Sequence, residues 1–120
     1  MTKILLADDH SAIRQRLRQI LLEGFPSVQI AEVSDGDLLV REALEGGWDL
    51  IVADISMPGQ SGIEATRRIR ARFPRLPVLL LSIYYDEDYA RHVVSAGASA
   101  YLCKENAQDE LVETISRLIV

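Results

Sequence analysis

The sequence is poor in the residue types that mark several specialised classes of protein. Cys103 is the single cysteine, so the chain can form no internal disulfide. No apolar run approaches the length of a membrane-spanning helix, and the first residues lack the pattern of a secretory signal. The formal net charge of −5 argues against tight non-specific binding to nucleic acid. These absences predict a cytoplasmic protein with no membrane association.

What is present is the composition of one ordinary globular domain. A chain of 120 residues can bury a core, and 48% hydrophobic with 26% charged residues is typical of a soluble domain. Strands that alternate with helices favour a parallel sheet with helices on both faces, here a doubly wound (βα)5 sandwich. Five short apolar runs, each followed by a segment with helical periodicity, lie at residues 3–7, 28–33, 50–53, 78–82 and 100–103.

Capping residues predict where four of the helices begin. Ser11 and Asn106 are expected to cap the first and the last helix. Ser61, with Glu64 three residues later, fits a capping box for the third helix. The acidic residues that begin at Asp86 place negative charge at the start of the fourth helix, where it is favourable.

Polar side chains follow four of the five predicted strands. They are Asp8 and Asp9 after the first strand, Asp54 after the third, Ser82 at the end of the fourth and Lys104 after the fifth. Because the carboxyl ends of parallel strands meet at one edge of a sheet, these groups are expected to converge there. Converging carboxylates raise one another's pKa unless a positive charge intervenes, and Mg²⁺ suits such oxygen ligands.

This set of groups suits phosphoryl transfer. Asp54 can act as a nucleophile and form an acyl phosphate, while the metal and Lys104 bind the phosphoryl oxygens. Ser82 would donate a hydrogen bond to the same group. Taken singly, each residue has an ordinary explanation, such as a turn that begins at Asp54. His10 is expected to be a loop residue and not a metal ligand, because no second His or Cys lies at ligand spacing.

Taken together, these motifs resemble a response-regulator receiver domain of bacterial two-component signalling, over essentially the whole chain. The matching elements are the Asp8–Asp9 pair, Asp54 ahead of Met57-Pro58 and Gly62, Ser82 after an apolar strand, and Tyr101-Leu102-Cys103-Lys104. Residues 4–10, 81–84 and 101–104 are most similar to the NarL/FixJ (LuxR-type) subgroup. The resemblance implies a flavodoxin-like (CheY-like) fold with strand order 2-1-3-4-5.

The resemblance also implies roles for the residues of the site. Asp54 would be the phospho-acceptor, and Lys104 would pair with a phosphoryl oxygen. Mg²⁺ would be bound directly by Asp9, Asp54 and the backbone carbonyl of Ser56, and by Asp8 through a water. Ser82 and Tyr101 would form a switch pair, in which the hydroxyl is drawn toward the phosphoryl group and the ring turns inward. The residues that flank the site, Ser56 and Tyr84, are expected to tune the lifetime of the phosphorylated state.

The partners follow from the same resemblance. The phosphoryl group would come from a sensor histidine kinase, and the output would be transcriptional. Residues 1–120 are expected to form the receiver domain alone, with a C-terminal helix-turn-helix effector absent from the chain, so DNA would be bound only through that domain. A homodimer is expected through the surface of helix 4, strand 5 and helix 5, or through helices 1 and 5.

Three other functions are compatible with parts of this pattern. A Mg²⁺-dependent phosphatase of small molecules also uses an Asp nucleophile on an α/β sheet, but no cap or specificity domain is evident. A pseudo-receiver, which binds partners without phosphate, is opposed by the intact acidic set and Lys104. A flavodoxin-like redox carrier needs a phosphate-cradling glycine-rich loop after the first strand, where Asp8-Asp9-His10 stands instead. The receiver domain is therefore the leading prediction, and it predicts a signalling protein that is not an enzyme.

Overall fold

The computed structural model of the chain describes residues 2–83 and 86–119, so Tyr84, expected beside the site, lies outside the described residues. The strands are β1 (Lys3–Ala7), β2 (Gln29–Val33), β3 (Leu50–Asp54), β4 (Val78–Ser82) and β5 (Ala100–Cys103). The helices are α1 (Ser11–Gly24), α2 (Gly36–Leu44), α3 (Gly62–Arg72), α4 (Glu87–Ser95) and α5 (Ala107–Leu118), and a short 3₁₀ turn at Lys104–Asn106 precedes α5.

The five strands form one parallel sheet in the order β2-β1-β3-β4-β5. The predicted fold class, strand order and number of βα units are therefore confirmed. The strand β2 lies at the edge of the sheet and is the most exposed to solvent of the five, as its partial alternation of apolar and polar residues predicted. The strand β3 lies at the centre and is buried along its whole length, as expected for a strand covered on both faces.

The alternation of side chains along the strands divides the interior into two cores. Leu5, Ile51 and Leu80 point to the face that α2, α3 and α4 cover. Their sequence neighbours, such as Leu6 and Val52, point to the opposite face, where Leu17 and Ile20 of α1 and Leu111 and Ile115 of α5 pack. Each face thus buries its own apolar set, which fixes the register of the sheet, since a shift by one residue would exchange the two sets.

The helix caps agree with the sequence in part. Ser61 Oγ accepts a hydrogen bond from Glu64 N at 3.1 Å, as predicted. The predicted negative charge stands at the start of α4, and Asp86 is in addition its cap, since its side chain accepts from the N–H groups of Asp88 and Tyr89. Ser11 does not cap α1: the cap position is His10, so the helix begins at Ser11, one residue earlier than a Ser11 cap predicts. The Arg14 N–H donates to the His10 carbonyl at 2.9 Å, and the His10 N–H donates to Asp8 Oδ1 at 2.9 Å. Asn106 stands at the cap of α5 without a side-chain bond, because the 3₁₀ turn leads directly into that helix.

The helices of the described chain are amphipathic and short. Within residues 2–83 and 86–119, none combines the length and the apolar content that crossing a bilayer requires.

Candidate functional site

The registers of the central strands bring Asp8 and Asp54 together. Ala7 of β1 pairs with Ala53 of β3, so the residues that follow them in sequence stand side by side where the two strands end. Both carboxyl side chains are buried, with 0% and 6% of their surfaces exposed. Two carboxylates so deeply buried need a compensating positive charge.

Lys104 supplies that charge. It follows β5 at the first residue of the 3₁₀ turn, and its ammonium Nζ lies 2.9 Å from Asp54 Oδ2 and 3.0 Å from Asp8 Oδ2. The side chain of Lys104 is itself only 9% exposed. One buried ammonium therefore bridges two buried carboxylates, and three of the residues predicted from strand ends meet at one point.

The electrostatics of this cluster favour a further cation. Burial raises the pKa of Asp54 and the charge of Asp8 adds to the rise, against the opposing effects of Lys104 and of the Ser56 N–H, which lies 3.2 Å from Asp54 Oδ1. Burial lowers the pKa of Lys104, but its bonds to Asp54 and its nearness to Asp8 outweigh burial and raise the pKa. The lysine stays protonated, and the buried cluster keeps an excess of negative charge.

The arrangement fits a magnesium ion. One ligand atom from each of Asp8, Asp9, His10 and Asp54 can be chosen so that all four lie within 4.8 Å of one another. The Asp9 side chain is 29% exposed, so the cluster opens toward solvent on that side. Carboxylate oxygens with room for retained waters are the ligands that Mg²⁺ prefers. His10, expected to be a loop residue, occupies the cap position of α1 without a side-chain cap bond, and its Nδ1 lies 3.2 Å from Asp9 Oδ1.

Ser82 and Tyr101 lie on adjacent strands and on the same face of the sheet. Tyr101 pairs with Leu80 in the register, and Ser82 is two residues beyond Leu80 on β4. The Tyr101 side chain is buried, and its ring meets the ring of Tyr89 edge to face at a centroid distance of 6.1 Å. The two residues predicted as a switch pair are therefore neighbours, beside the site but on the α4 side of the sheet.

Arg14 also reaches the site, and its contact was not predicted from the sequence. Its Nη1 donates to the carbonyl oxygen of Asp8 at 2.7 Å, and its Nε donates to Glu32 Oε1 at 3.0 Å. From periodicity alone Arg14 belongs to the polar face of α1. No spacing rule links an arginine of one helix to the backbone of a preceding strand, so only the fold reveals this contact.

Gly62 fixes the distance between α3 and the end of β3. Its N–H donates to the Ile55 carbonyl at 2.7 Å, and a Cβ at this position would lie 2.5 Å from the carbonyl oxygen of Asp54. We expect Gly62→Ala to lower the free energy of unfolding by about 1–3 kcal/mol, because backbone atoms would have to separate. Urea denaturation measures the loss.

Gly24→Ala is the matched control for this substitution. The three heavy atoms nearest to a Cβ at Gly24 all belong to the half-buried side chain of Val112, so side-chain atoms and not two backbone segments would have to move. A smaller loss is expected in this variant. Equal losses in the two variants would contradict the close approach of α3 to Asp54.

The fold and the site together define a receiver-type α/β domain. The chain belongs to the response regulator receiver domain family, whose family model matches residues 4–116. Domains of this class are phospho-accepting signalling switches. The predicted resemblance to a receiver domain is thus confirmed.

Two curated relatives place the chain within this family. The transcriptional regulatory protein DegU of Brevibacillus brevis is 39% identical over 113 residues, which cover 94% of this chain and 48% of the relative. The oxygen regulatory protein NreC of Staphylococcus haemolyticus is 38% identical over 109 residues, which cover 90% of this chain and 50% of the relative. The chain spans about half the length of the curated relatives it matches.

Solved structures share the fold along nearly the whole chain. A LuxR-family response regulator from Aurantimonas sp. SI85-9A1 is 33% identical, with a TM-score of 0.90 over 99% of this chain and 86% of that one. The response regulator TrrA of Thermotoga maritima, solved in complex with Mg²⁺-BeF, is 32% identical, with a TM-score of 0.87 over 98% of this chain and 99% of that one. The expected similarity to LuxR-type regulators is confirmed.

Proposed function

We propose that this domain is a switch in which Asp54 accepts a phosphoryl group from a sensor histidine kinase in the presence of Mg²⁺. The observation that carries the proposal is the buried Lys104 ammonium held between Asp54 and Asp8. Asp9, Asp54 and the backbone carbonyl of Ser56 would bind the metal directly, and Asp8 through a water. Mg²⁺, when bound, supplies positive charge that offsets the charge of the phosphoryl oxygens.

The residues of the chain divide the transfer between them. An oxygen of the Asp54 carboxylate forms the new bond to phosphorus, and the phosphorus–nitrogen bond to the histidine of the donor breaks with its electron pair on the imidazole. Lys104, which stays protonated because its pKa is raised, moves its hydrogen bond from Asp54 to a phosphoryl oxygen. Asp8 holds the other side of the ammonium throughout, so Lys104 never becomes an unpaired buried charge.

The switch in our proposal runs through Ser82 and Tyr101. The Ser82 hydroxyl would move toward the phosphoryl group and donate a hydrogen bond to it, and the ring of Tyr101 would turn inward. Phosphorylation would thereby shift the balance between two states of the α4 side of the sheet. The contact between Tyr101 and Tyr89 of α4 supports this route, because a movement of the Tyr101 ring on β5 would displace the Tyr89 ring that packs against it.

The output of the larger protein is also proposed. One of the two relatives is a transcriptional regulatory protein and the other an oxygen regulatory protein, and each is about twice as long as this chain. We infer that residues 1–120 are the receiver domain of such a cytoplasmic regulator, and that the regulator binds DNA through a C-terminal helix-turn-helix domain. Homodimers would form through α4, β5 and α5 or through α1 and α5. The domain would take up one phosphoryl group without turning over substrate, and so would not act as an enzyme.

Intact-protein mass after incubation with acetyl phosphate tests the proposal. One added phosphoryl group is expected with Mg²⁺, and none when EDTA removes the metal. A generic phosphate ester offered in parallel should not be turned over. Continuous release of phosphate from that ester would favour a phosphatase, and a folded protein that gains no mass would favour a phosphate-independent binding module.

A further inference from the structure

Arg14 joins three parts of the molecule that meet beside the candidate metal site. Its backbone N–H makes the first hydrogen bond of α1, to the His10 carbonyl at 2.9 Å. Its guanidinium donates to the carbonyl of Asp8, which follows β1, at 2.7 Å, and to the side chain of Glu32 on β2 at 3.0 Å. The Arg14 and Glu32 side chains are 21% and 28% exposed, so this pair is partly shielded from water.

The bond to the Asp8 carbonyl fixes the backbone of Asp9. Backbone pairing between β1 and β2 ends where Asp8 N donates to the Val33 carbonyl at 3.2 Å, and the Asp8 carbonyl lies beyond that point. This carbonyl belongs to the peptide group that joins Asp8 to Asp9. The next peptide group is held as well, because its N–H, that of His10, donates to Asp8 Oδ1. Both peptide groups that flank Asp9 are therefore bound.

We propose that Arg14 is a positioning residue that holds Asp9 in the orientation required to bind Mg²⁺. This inference rests on the proposed function, since it concerns the same metal site. Glu32 has two tasks: it fixes the guanidinium at a second point, and its charge offsets a positive charge that would otherwise repel the metal. When a group that orients a metal ligand without touching the metal is removed, the affinity for the metal commonly falls by about tenfold or more.

The charge of Arg14 makes the proposal testable by sign. If charge alone mattered, Arg14→Ala would tighten Mg²⁺ binding, because a positive charge near a cation site is removed. If Arg14 positions Asp9, the same variant binds Mg²⁺ more weakly. We expect the Mg²⁺ dissociation constant of Arg14→Ala to rise about tenfold. Isothermal titration calorimetry with Mg²⁺ measures it, and saturating Mg²⁺ should restore the wild-type rate of phosphoryl uptake.

Arg18→Ala is the matched control. Arg18 binds the other oxygen of Glu32 at 3.2 Å and the Ile30 carbonyl at 3.5 Å, so its removal leaves the bond between Arg14 and Asp8 in place. The Mg²⁺ affinity of Arg18→Ala should stay at the wild-type value or rise slightly. Glu32→Ala, which removes the second anchor of Arg14, should weaken Mg²⁺ binding less than Arg14→Ala. Because the loss of the Glu32 charge weakens cation binding in any case, the second variant, if Arg14→Ala does not fold, is Arg14→Met, which removes the positive charge but keeps most of the side-chain length and should also bind Mg²⁺ more weakly.

The outcomes separate the two proposals. If the wild-type domain neither binds Mg²⁺ nor takes up a phosphoryl group, the proposed function itself fails. If the wild-type domain does both, and a folded Arg14→Ala binds Mg²⁺ as tightly or more tightly, the positioning role of Arg14 is overturned and the function stands. An equal loss of affinity in Arg18→Ala would also overturn it, because the effect would then belong to the whole ion-pair cluster.

Discussion

Replacing Asp54 by Asn should leave a folded domain that accepts no phosphoryl group at any Mg²⁺ concentration. The carboxamide cannot form the acyl phosphate that the carboxylate forms. Intact-protein mass after treatment with acetyl phosphate measures the loss, which is expected to be complete. Asp88→Asn, which removes a carboxylate that is 89% exposed on α4, is the control and should take up one phosphoryl group as the wild type does.

The same variant should be at least as stable as the wild type at neutral pH without metal. Burial, with the charge of Asp8, raises the pKa of Asp54 above its ordinary value of 3.8. A group with a raised pKa in the folded state contributes stability below its unfolded pKa and loses that contribution as the pH rises through the folded value. The ionised Asp54 carboxylate therefore lowers the free energy of unfolding at neutral pH. The free energy of unfolding, measured by urea denaturation, should exceed that of the wild type in Asp54→Asn at neutral pH. This difference should become smaller as the pH falls toward 3.8, the ordinary pKa of the carboxyl.

Phosphoryl uptake that persists in Asp54→Asn would assign the acceptor to another residue. Uptake that disappears together with the fold would say nothing about chemistry. Circular dichroism on the same sample therefore belongs to the experiment. A folded, unreactive variant beside a reactive Asp88→Asn is the expected result.

Replacing Lys104 by Met should lower the free energy of unfolding by about 3 kcal/mol in the absence of metal, because two buried carboxylates lose the charge that they share. Methionine keeps much of the volume of the lysine stem, so the loss reports the ammonium more than the packing. Mg²⁺ should then stabilise Lys104→Met more than it stabilises the wild type, since no ammonium competes for Asp54 and Asp8. Urea denaturation with and without Mg²⁺ measures both effects.

Lys3→Met is the control for this second prediction. Lys3 is the first residue of β1, at the opposite end of that strand from the site, and its Nζ lies 5.0 Å from the centre of the Trp48 ring. The fall in the free energy of unfolding in Lys3→Met should be small and independent of Mg²⁺. A Lys104→Met variant that is more stable than the wild type without metal would contradict the prediction, because the carboxylates would then tolerate burial without their partner.

The fold was predictable because its signals are local. Each strand is a short apolar run that ends at a polar residue, and parallel pairing brings such ends to one edge whatever the details of packing. The strand-end pattern therefore predicts that Asp8, Asp54 and Lys104 converge, and the contacts of Lys104 with both carboxylates agree. The pairing of Ser82 with Tyr101 came from the resemblance to receiver domains, and the register of β4 and β5 places the two residues on adjacent strands.

The contacts that escaped prediction depend on the assembled structure. Arg14 reaches the Asp8 carbonyl and Glu32 only after three elements have packed. Ser11 is a suitable cap by residue type, but the Arg14 N–H, one of the groups that a cap at Ser11 could bind, donates to the His10 carbonyl instead, and the cap position is His10. Which of two neighbouring residues occupies the cap position depends on the path of the backbone and cannot be read from a linear pattern.

The two separate cores of this domain have a consequence for communication. Ala7 and Ala53, which directly precede Asp8 and Asp54, pack in the same core as Tyr101, whereas Leu6 and Val52, one residue further back, pack toward α1 and α5. The site therefore stands at the rim where both cores end. In our proposal, a change of charge there is transmitted to either layer of helices through the buried residues that precede the two carboxylates.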